Sequence, residues 1–264
     1  MSMTATKSTD PLPEKMPSST GDHVPAYSVI FEDASLVVVD KKGGVAVLPE
    51  RWERHVPNLL EQAALRWPGV TAVHRIDKDT SGLLILAKTP EMSRKLQIAF
   101  EERRIGKVYL ALVAGRPAWD SLDCDTPLLI DGDRQHRSLV ARAGDPDARK
   151  ALSRFTVLER FRSCTLVAVE LMTGRTHQIR VHAAHLGHPL IGDHLYGGPK
   201  ELLLSTIKSG WRGDRYEEKP LIERVALHAF RLHFEHPLEH RILEFTAEYP
   251  KDLRASLAQL RRWS

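Results

Sequence analysis

His74-Arg75-Ile76-Asp77-Lys78-Asp79-Thr80-Ser81-Gly82-Leu83-Leu84-Ile85-Leu86-Ala87-Lys88 sets four charged residues into the five positions 75–79, then turns, then runs apolar. Leu83–Ala87 has no polar interruption and reads as a buried strand. If 74–77 is extended, Arg75 and Asp77 point to one side and Ile76 points inward, because strand side chains alternate. Lys78 to Gly82 has the composition of a tight loop. Asp77 then sits on a rigid edge beside the core, and Asp79 lies in the loop. A solvated turn with a local Arg75–Asp77 contact would give the same pattern, since exposed ion pairs are common and contribute little. Two carboxylates this close also suit a glycosidase, but such a pair must face each other across a sugar, which this spacing does not guarantee.

Upstream, Tyr27–Phe31 and Leu36–Val39 flank the turn Glu32–Ser35 and read as a hairpin. Lys41-Lys42-Gly43-Gly44 reads as a loop, and Val45–Leu48 as a further strand. Asn58 opens a helix, with Glu61 at the capping-box spacing and Leu60, Ala63 and Ala64 as the apolar stripe. Residues 1–24 are rich in Ser, Thr and Pro and poor in large apolar residues, so a flexible tail is expected there.

Downstream, Met92, Leu96, Ala99 and Phe100 recur at helical spacing, predicting a helix over Pro90–Ile105 with Gly106 as its cap. Strands are predicted over 107–114, 155–158, 164–171, 226–234 and 241–248. Turns and short strands are expected between 120 and 150. Helices are predicted over 176–186, briefly near Leu202, and over 251–263. Strands and helices mix without a βαβ rhythm. That predicts an α+β fold, one domain over 25–264, with helices on a mixed, mostly antiparallel sheet.

The chain has 264 residues, enough for a sizeable core, and a net charge of +4, a mild bias toward polyanions. Cys124 and Cys164 make no CxxC and no disulfide framework. No apolar run reaches the roughly 18 residues of a membrane span. The first residues lack a signal-peptide core. A cytoplasmic protein is expected.

A second constellation is Thr173-Gly174-Arg175-Thr176-His177-Gln178-Ile179-Arg180-Val181-His182, continuing through Gly187-His188-Pro189 to Gly192-Asp193 and Tyr196-Gly197. Arginines at a helix start suit an anion. His182 and His185 lie one turn apart, but no HExxH accompanies them. These histidines are therefore expected to pack, hydrogen-bond or face RNA, and no metal is expected.

Together with Lys107-Val108-Tyr109-Leu110-Ala111-Leu112-Val113 and Gly115, these blocks resemble the RluA family of pseudouridine synthases, in order and spacing, over roughly residues 27–250. The resemblance implies a synthase domain with a central active-site cleft that isomerises uridine in tRNA or rRNA. The N1–C1′ bond breaks, the uracil rotates, and the base rejoins through C5. Neither a cofactor nor a protein partner is implied, and a monomer is expected. Asp77 matches the catalytic aspartate, Arg180 its basic partner, and Tyr109 the tyrosine that packs on the uracil. Arg75 matches the arginine that evicts the base, a step that costs a few kcal/mol. His74, Arg175 and His177 fall among the expected substrate-binding residues, and Leu227 as a pocket wall. The family's Lys-Pro-x-Gly loop here lacks its proline. Residues 1–24 are too few for an added RNA-binding domain, so RNA contact is expected from Arg103, Arg104, Lys107, the segment 134–142 and the C-terminus. An RNA-binding protein without catalysis is the other alternative.

Overall fold

The computed structural model describes residues 25–49, 57–133 and 137–263. The expected tail, 1–24, and part of the basic segment 134–142 fall outside them. Twelve strands and five α-helices are present among the described residues. The N-terminal hairpin forms as expected: β1 (Tyr27–Glu32) pairs antiparallel with β2 (Leu36–Lys41). Then come α1 (Leu59–Arg66), β3 (Thr71–Ala72), β4 (Ser81–Ala87), α2 (Pro90–Glu101) and β5 (Gly106–Ala114). The middle of the chain holds β6 (Ser121–Cys124), β7 (Leu128–Leu129), β8 (Leu139–Val140), β9 (Ser153–Arg160) and β10 (Cys164–Leu171). It closes with α3 (Gln178–His185), α4 (Leu204–Ile207), β11 (Leu227–Glu235), β12 (Ile242–Thr246) and α5 (Lys251–Trp263).

The main sheet runs β1-β2-β4-β11-β5-β10-β9-β6, with β3 added beside β4 and β12 beside β11. All its pairings are antiparallel except β11 with β4, which touch only at His228–Ser81 and Ala229–Gly82. That short seam joins the two halves of the sheet. Gly82 makes it possible: its φ is +109°, and a Cβ there would lie 2.2 Å from the Ala229 carbonyl oxygen.

Side-chain parity sorts the core. Val37, Val39, Leu84, Leu86, Tyr109, Ala111 and Val113 pack on one face, with Leu59 and Ala63 of α1 and Ile179 of α3. On the other face, Leu36, Val38, Leu83 and Ile85 meet Met92, Leu96 and Ala99 of α2. Leu110, Leu112 and Leu166 meet Leu253, Leu257 and Leu260 of α5. β4 lies between helices on both faces, so every one of its residues is buried, as its unbroken apolar run requires.

Three local expectations are corrected. Val45–Leu48 is not a strand: Ala46 and Val47 give their carbonyls to the amides of Leu59 and Leu60, and Val45 gives its own to Lys41 Nζ. The α1 stripe is Leu59 and Ala63, with Leu60 half-buried and Ala64 exposed. α2 ends at Glu101, not Ile105, because Arg103 turns left-handed at φ 59°, and Gly106 begins β5 instead of capping.

The capping box at Asn58 is complete: its side chain accepts from the Glu61 amide at 3.0 Å, and Glu61 accepts from the Asn58 amide. Asn58→Ala is expected to lower stability by about 1 kcal/mol, read as a fall in denaturation midpoint at unchanged m-value.

Candidate active site

The turn at residues 78–79, between Asp77 and β4, is held from two sides. Lys41 is fully buried and donates from Nζ to the carbonyls of Lys42, Val45 and Lys78, at 2.9, 2.6 and 2.8 Å. Burial pulls its pKa down to about 7, and three carbonyl acceptors offset the loss of water. Arg224 reaches in from before β11, donating to the Asp79 carbonyl at 2.9 Å while Asp252 grips its other edge. Gly43 leaves room for it: a Cβ there would stand 2.6 Å from Arg224 Cδ. At the position where the RluA pattern has proline, the Lys42 amide donates to Ala26 at 2.9 Å, a bond proline could not make.

Asp77 faces a cleft of about 300 Å³ at the open end of the seam. Tyr109 of β5, Leu227 at the start of β11 and Arg180 of α3 line the same cleft, as do His74, Arg75, Arg175 and His177. All eight residues singled out from the sequence thus converge on one cavity. Ile76 is buried, as strand-like alternation requires.

Arg180 Nη1 lies 3.5 Å from Asp77 Oδ2, and His177 Nε2 lies 3.9 Å from the same oxygen. The guanidinium is not free to choose. Its Nε and Nη2 both donate to Asp193, at 2.7 and 2.8 Å, and Asp193 is buried. Burial opposes the charge on Arg180, but Asp193 and Asp77 outweigh it and raise its pKa. The Tyr196 ring packs on the guanidinium at 5.1 Å, and its hydroxyl lies 2.9 Å from His177 Nδ1.

His177 is engaged at both ring nitrogens: Nδ1 pairs with the Tyr196 hydroxyl, whose oxygen also accepts the Ser138 amide, and Nε2 faces Asp77. Burial lowers the His177 pKa against the raising effect of Asp77, so the ring is neutral at pH 7.

The other residues divide by what holds them. Burial, and then the Asp77 charge, raise the Tyr109 pKa, so its phenol stays protonated. His74 Nε2 accepts the Ile85 amide at 2.9 Å and the ring stacks on Phe100 at 4.5 Å. Burial pushes its pKa down to about 3, so it is a neutral brace for β4 as well as cleft lining. Arg75 is exposed and reaches Thr176 Oγ1 at 3.4 Å across the cleft mouth. Arg175 bonds the Lys150 carbonyl through Nε and is otherwise at the surface. His182 is buried, with Nδ1 on Ser153 Oγ and Nε2 on the Thr126 carbonyl, so both nitrogens serve the core.

Asp77 is the one carboxylate among the described residues that line this cleft. The paired-carboxylate alternative lacks its second member. Asp79 lies in a turn outside it, and Asp193 is sealed behind Arg180.

This arrangement has relatives. Residues 35–185 match the family model described as RNA pseudouridylate synthase. The chain belongs to that family. It is 34% identical over 244 residues to the ribosomal large subunit pseudouridine synthase D of Pseudomonas aeruginosa, covering 89% of this chain and 72% of that protein. It is 35% identical over 241 residues to the ribosomal large subunit pseudouridine synthase C of Vibrio cholerae, covering 89% and 70%. Among solved structures, human RNA pseudouridylate synthase domain containing 4 superposes with a TM-score of 0.70 at 26% identity, covering 88% of this chain and 92% of that one. The mixed sheet is therefore the α+β fold of the pseudouridine synthases, and the protein is an RNA uridine isomerase.

Sequence reasoning on this pseudouridine synthase missed Asp193, Tyr196 and Lys41 as parts of the site. Asp193 and Tyr196 stand in the quoted third block, so their presence was visible. Their attachment to Arg180 and His177 depends on how the loop after α3 folds back.

Proposed function

We propose that this pseudouridine synthase modifies a uridine of large-subunit ribosomal RNA, with Asp77 as its catalytic carboxylate. The names of the relatives in Pseudomonas and Vibrio support the substrate class. The observation that carries the catalytic assignment is a lone cleft carboxylate beside Tyr109 and within ion-pair distance of Arg180.

The reaction breaks N1–C1′, turns the uracil, joins C5 to C1′ and moves the C5 proton, with no net gain or loss of atoms. An ionised carboxylate suits nucleophilic attack or proton abstraction, and Arg180 Nη1 stands 3.5 Å from it. Both cationic or polar neighbours approach Oδ2, which leaves Oδ1 outside these pairs. Tyr109, kept protonated, offers its ring face and hydroxyl to the uracil and not a phenolate base. Leu227 closes the apolar side, where a flipped base needs cover from water. Arg75, exposed at the mouth, is placed to occupy the space the base leaves in its stack.

Mapping pseudouridine across all cellular RNA, with and without the gene, tests the substrate. At least one large-subunit pseudouridine should vanish and return with the wild-type gene but not with Asp77→Asn. Loss confined to tRNA would overturn the ribosomal assignment.

A further inference from the structure

The cleft does not end at Tyr109. A second hollow of about 250 Å³ adjoins it, and Phe100, Lys107, Leu171, Gly174 and Arg175 line both. Lys107 stands on the shared wall. It is two residues from Tyr109 on β5, so both side chains project from the same face of the strand, about 7 Å apart along it. That is the reach from a nucleobase across its own sugar to its phosphate.

Lys107 is partly buried and makes no ion pair among the described residues. Its Nζ lies 5.6 Å above the Phe100 ring. Gly174 accommodates it: a Cβ at 174 would come within 3.2 Å of Nζ. Burial without a counter-charge lowers its pKa. Arg103 and Arg175 add two more cations to the hollow against the one carboxylate of Glu101. Arg103 has no ion pair among the described residues, and Arg175 bonds only neutral groups. A half-buried, uncompensated ammonium facing open space is costly unless an anion completes it.

We propose that Lys107, on the wall between the catalytic cleft and the adjoining hollow, binds the phosphodiester next to the target uridine. This rests on Asp77 marking where the uridine sits. The phosphate completes the ammonium's coordination and fixes the nucleotide's depth, and Phe100 and Gly174 hold the lysine in place. Arg103 and Arg175 extend the path for the neighbouring nucleotide.

The test is a cycle between protein and ligand. A synthetic RNA hairpin around the mapped uridine is made with single neutral methylphosphonates at each flanking position. Binding is measured to full-length Asp77→Asn protein, with and without Lys107→Met. One flanking methylphosphonate is expected to weaken binding about tenfold with Lys107 present and to add nothing once Lys107 is gone. Lys107→Met should also lower the slope of log affinity against log salt by about 0.7–0.9, and Lys107→Arg should restore it. The methylphosphonate series on protein with Lys107 intact needs no variant at 107 to fold. The proposal is overturned if no position shows this dependence, or if the salt slope is unchanged. Should Asp77→Asn retain tritium release from C5-labelled uridine, the site assignment fails separately.

Discussion

Asp77→Asn is expected to abolish pseudouridine formation, with a loss of about 10³-fold or more, as when other enzymes lose an attacking or proton-abstracting group. The substitution keeps the size of the side chain and removes its charge. Asp77 is partly solvated, with 27% of its side chain exposed. Arg180 keeps its two bonds to Asp193. The fold should therefore lose no more than about 1 kcal/mol. Tritium release from C5-labelled uridine under single-turnover conditions, beside a thermal melt, separates the two effects. Turnover within tenfold of wild type would remove Asp77 from the mechanism.

Asp193→Ala should produce the largest loss of stability. Its carboxylate has no exposed surface and takes the Nε–Nη2 edge of Arg180, whose side chain is 10% exposed. Deleting it strands a buried guanidinium with Asp77 alone, 3.5 Å away. Breaking such a pair costs about 3–5 kcal/mol. At roughly 2–4 °C per kcal/mol, that is a melting temperature lower by about 10 °C. Catalysis should fall as well, because the freed guanidinium can swing fully onto Asp77. Adding Arg180→Met should recover part of the stability and none of the activity, since the orphaned charge goes with it. A melt within 2 °C of wild type for Asp193→Ala would contradict this.

Much of the architecture was legible because it rests on local rules. The capping box at Asn58, the basic helix 251–263 and the hairpin of Tyr27–Phe31 with Leu36–Val39 need no knowledge of distant residues. Val45–Leu48 misled because its apolar character comes from packing against α1 and not from a sheet. Its carbonyls go to a helix start and to a lysine, which periodicity cannot reveal. The end of α2 misled because a non-glycine, Arg103, took the left-handed position that Gly106 seemed placed to fill.

At the site, the chemistry-bearing residues stood out by type and block. Their supports did not. Lys41 looks like one half of a surface Lys-Lys pair, yet it is fully buried and binds a carbonyl 37 positions away. Asp193 lies 13 positions beyond Arg180, past a helix end and a turn, so no helical or strand spacing links them. Asp77 and Asp79 look equivalent in sequence. They separate where Lys41 and Arg224, both distant in the chain, hold the turn at the Lys78 and Asp79 carbonyls.

The seam between β4 and β11 has a consequence in time. β4 carries the approach to Asp77 and β5 carries Tyr109, and β11 lies between them. Residues 227–235 are made after both β4 and β5, since synthesis runs from the N-terminus. Until they insert, the aspartate and tyrosine belong to two unjoined pieces of sheet, and Leu227 has not yet closed the cleft wall. A nascent chain short of β11 carries most of the cleft's polar side chains and no cleft to put them in, so the ability to modify RNA arrives only once β11 has been made.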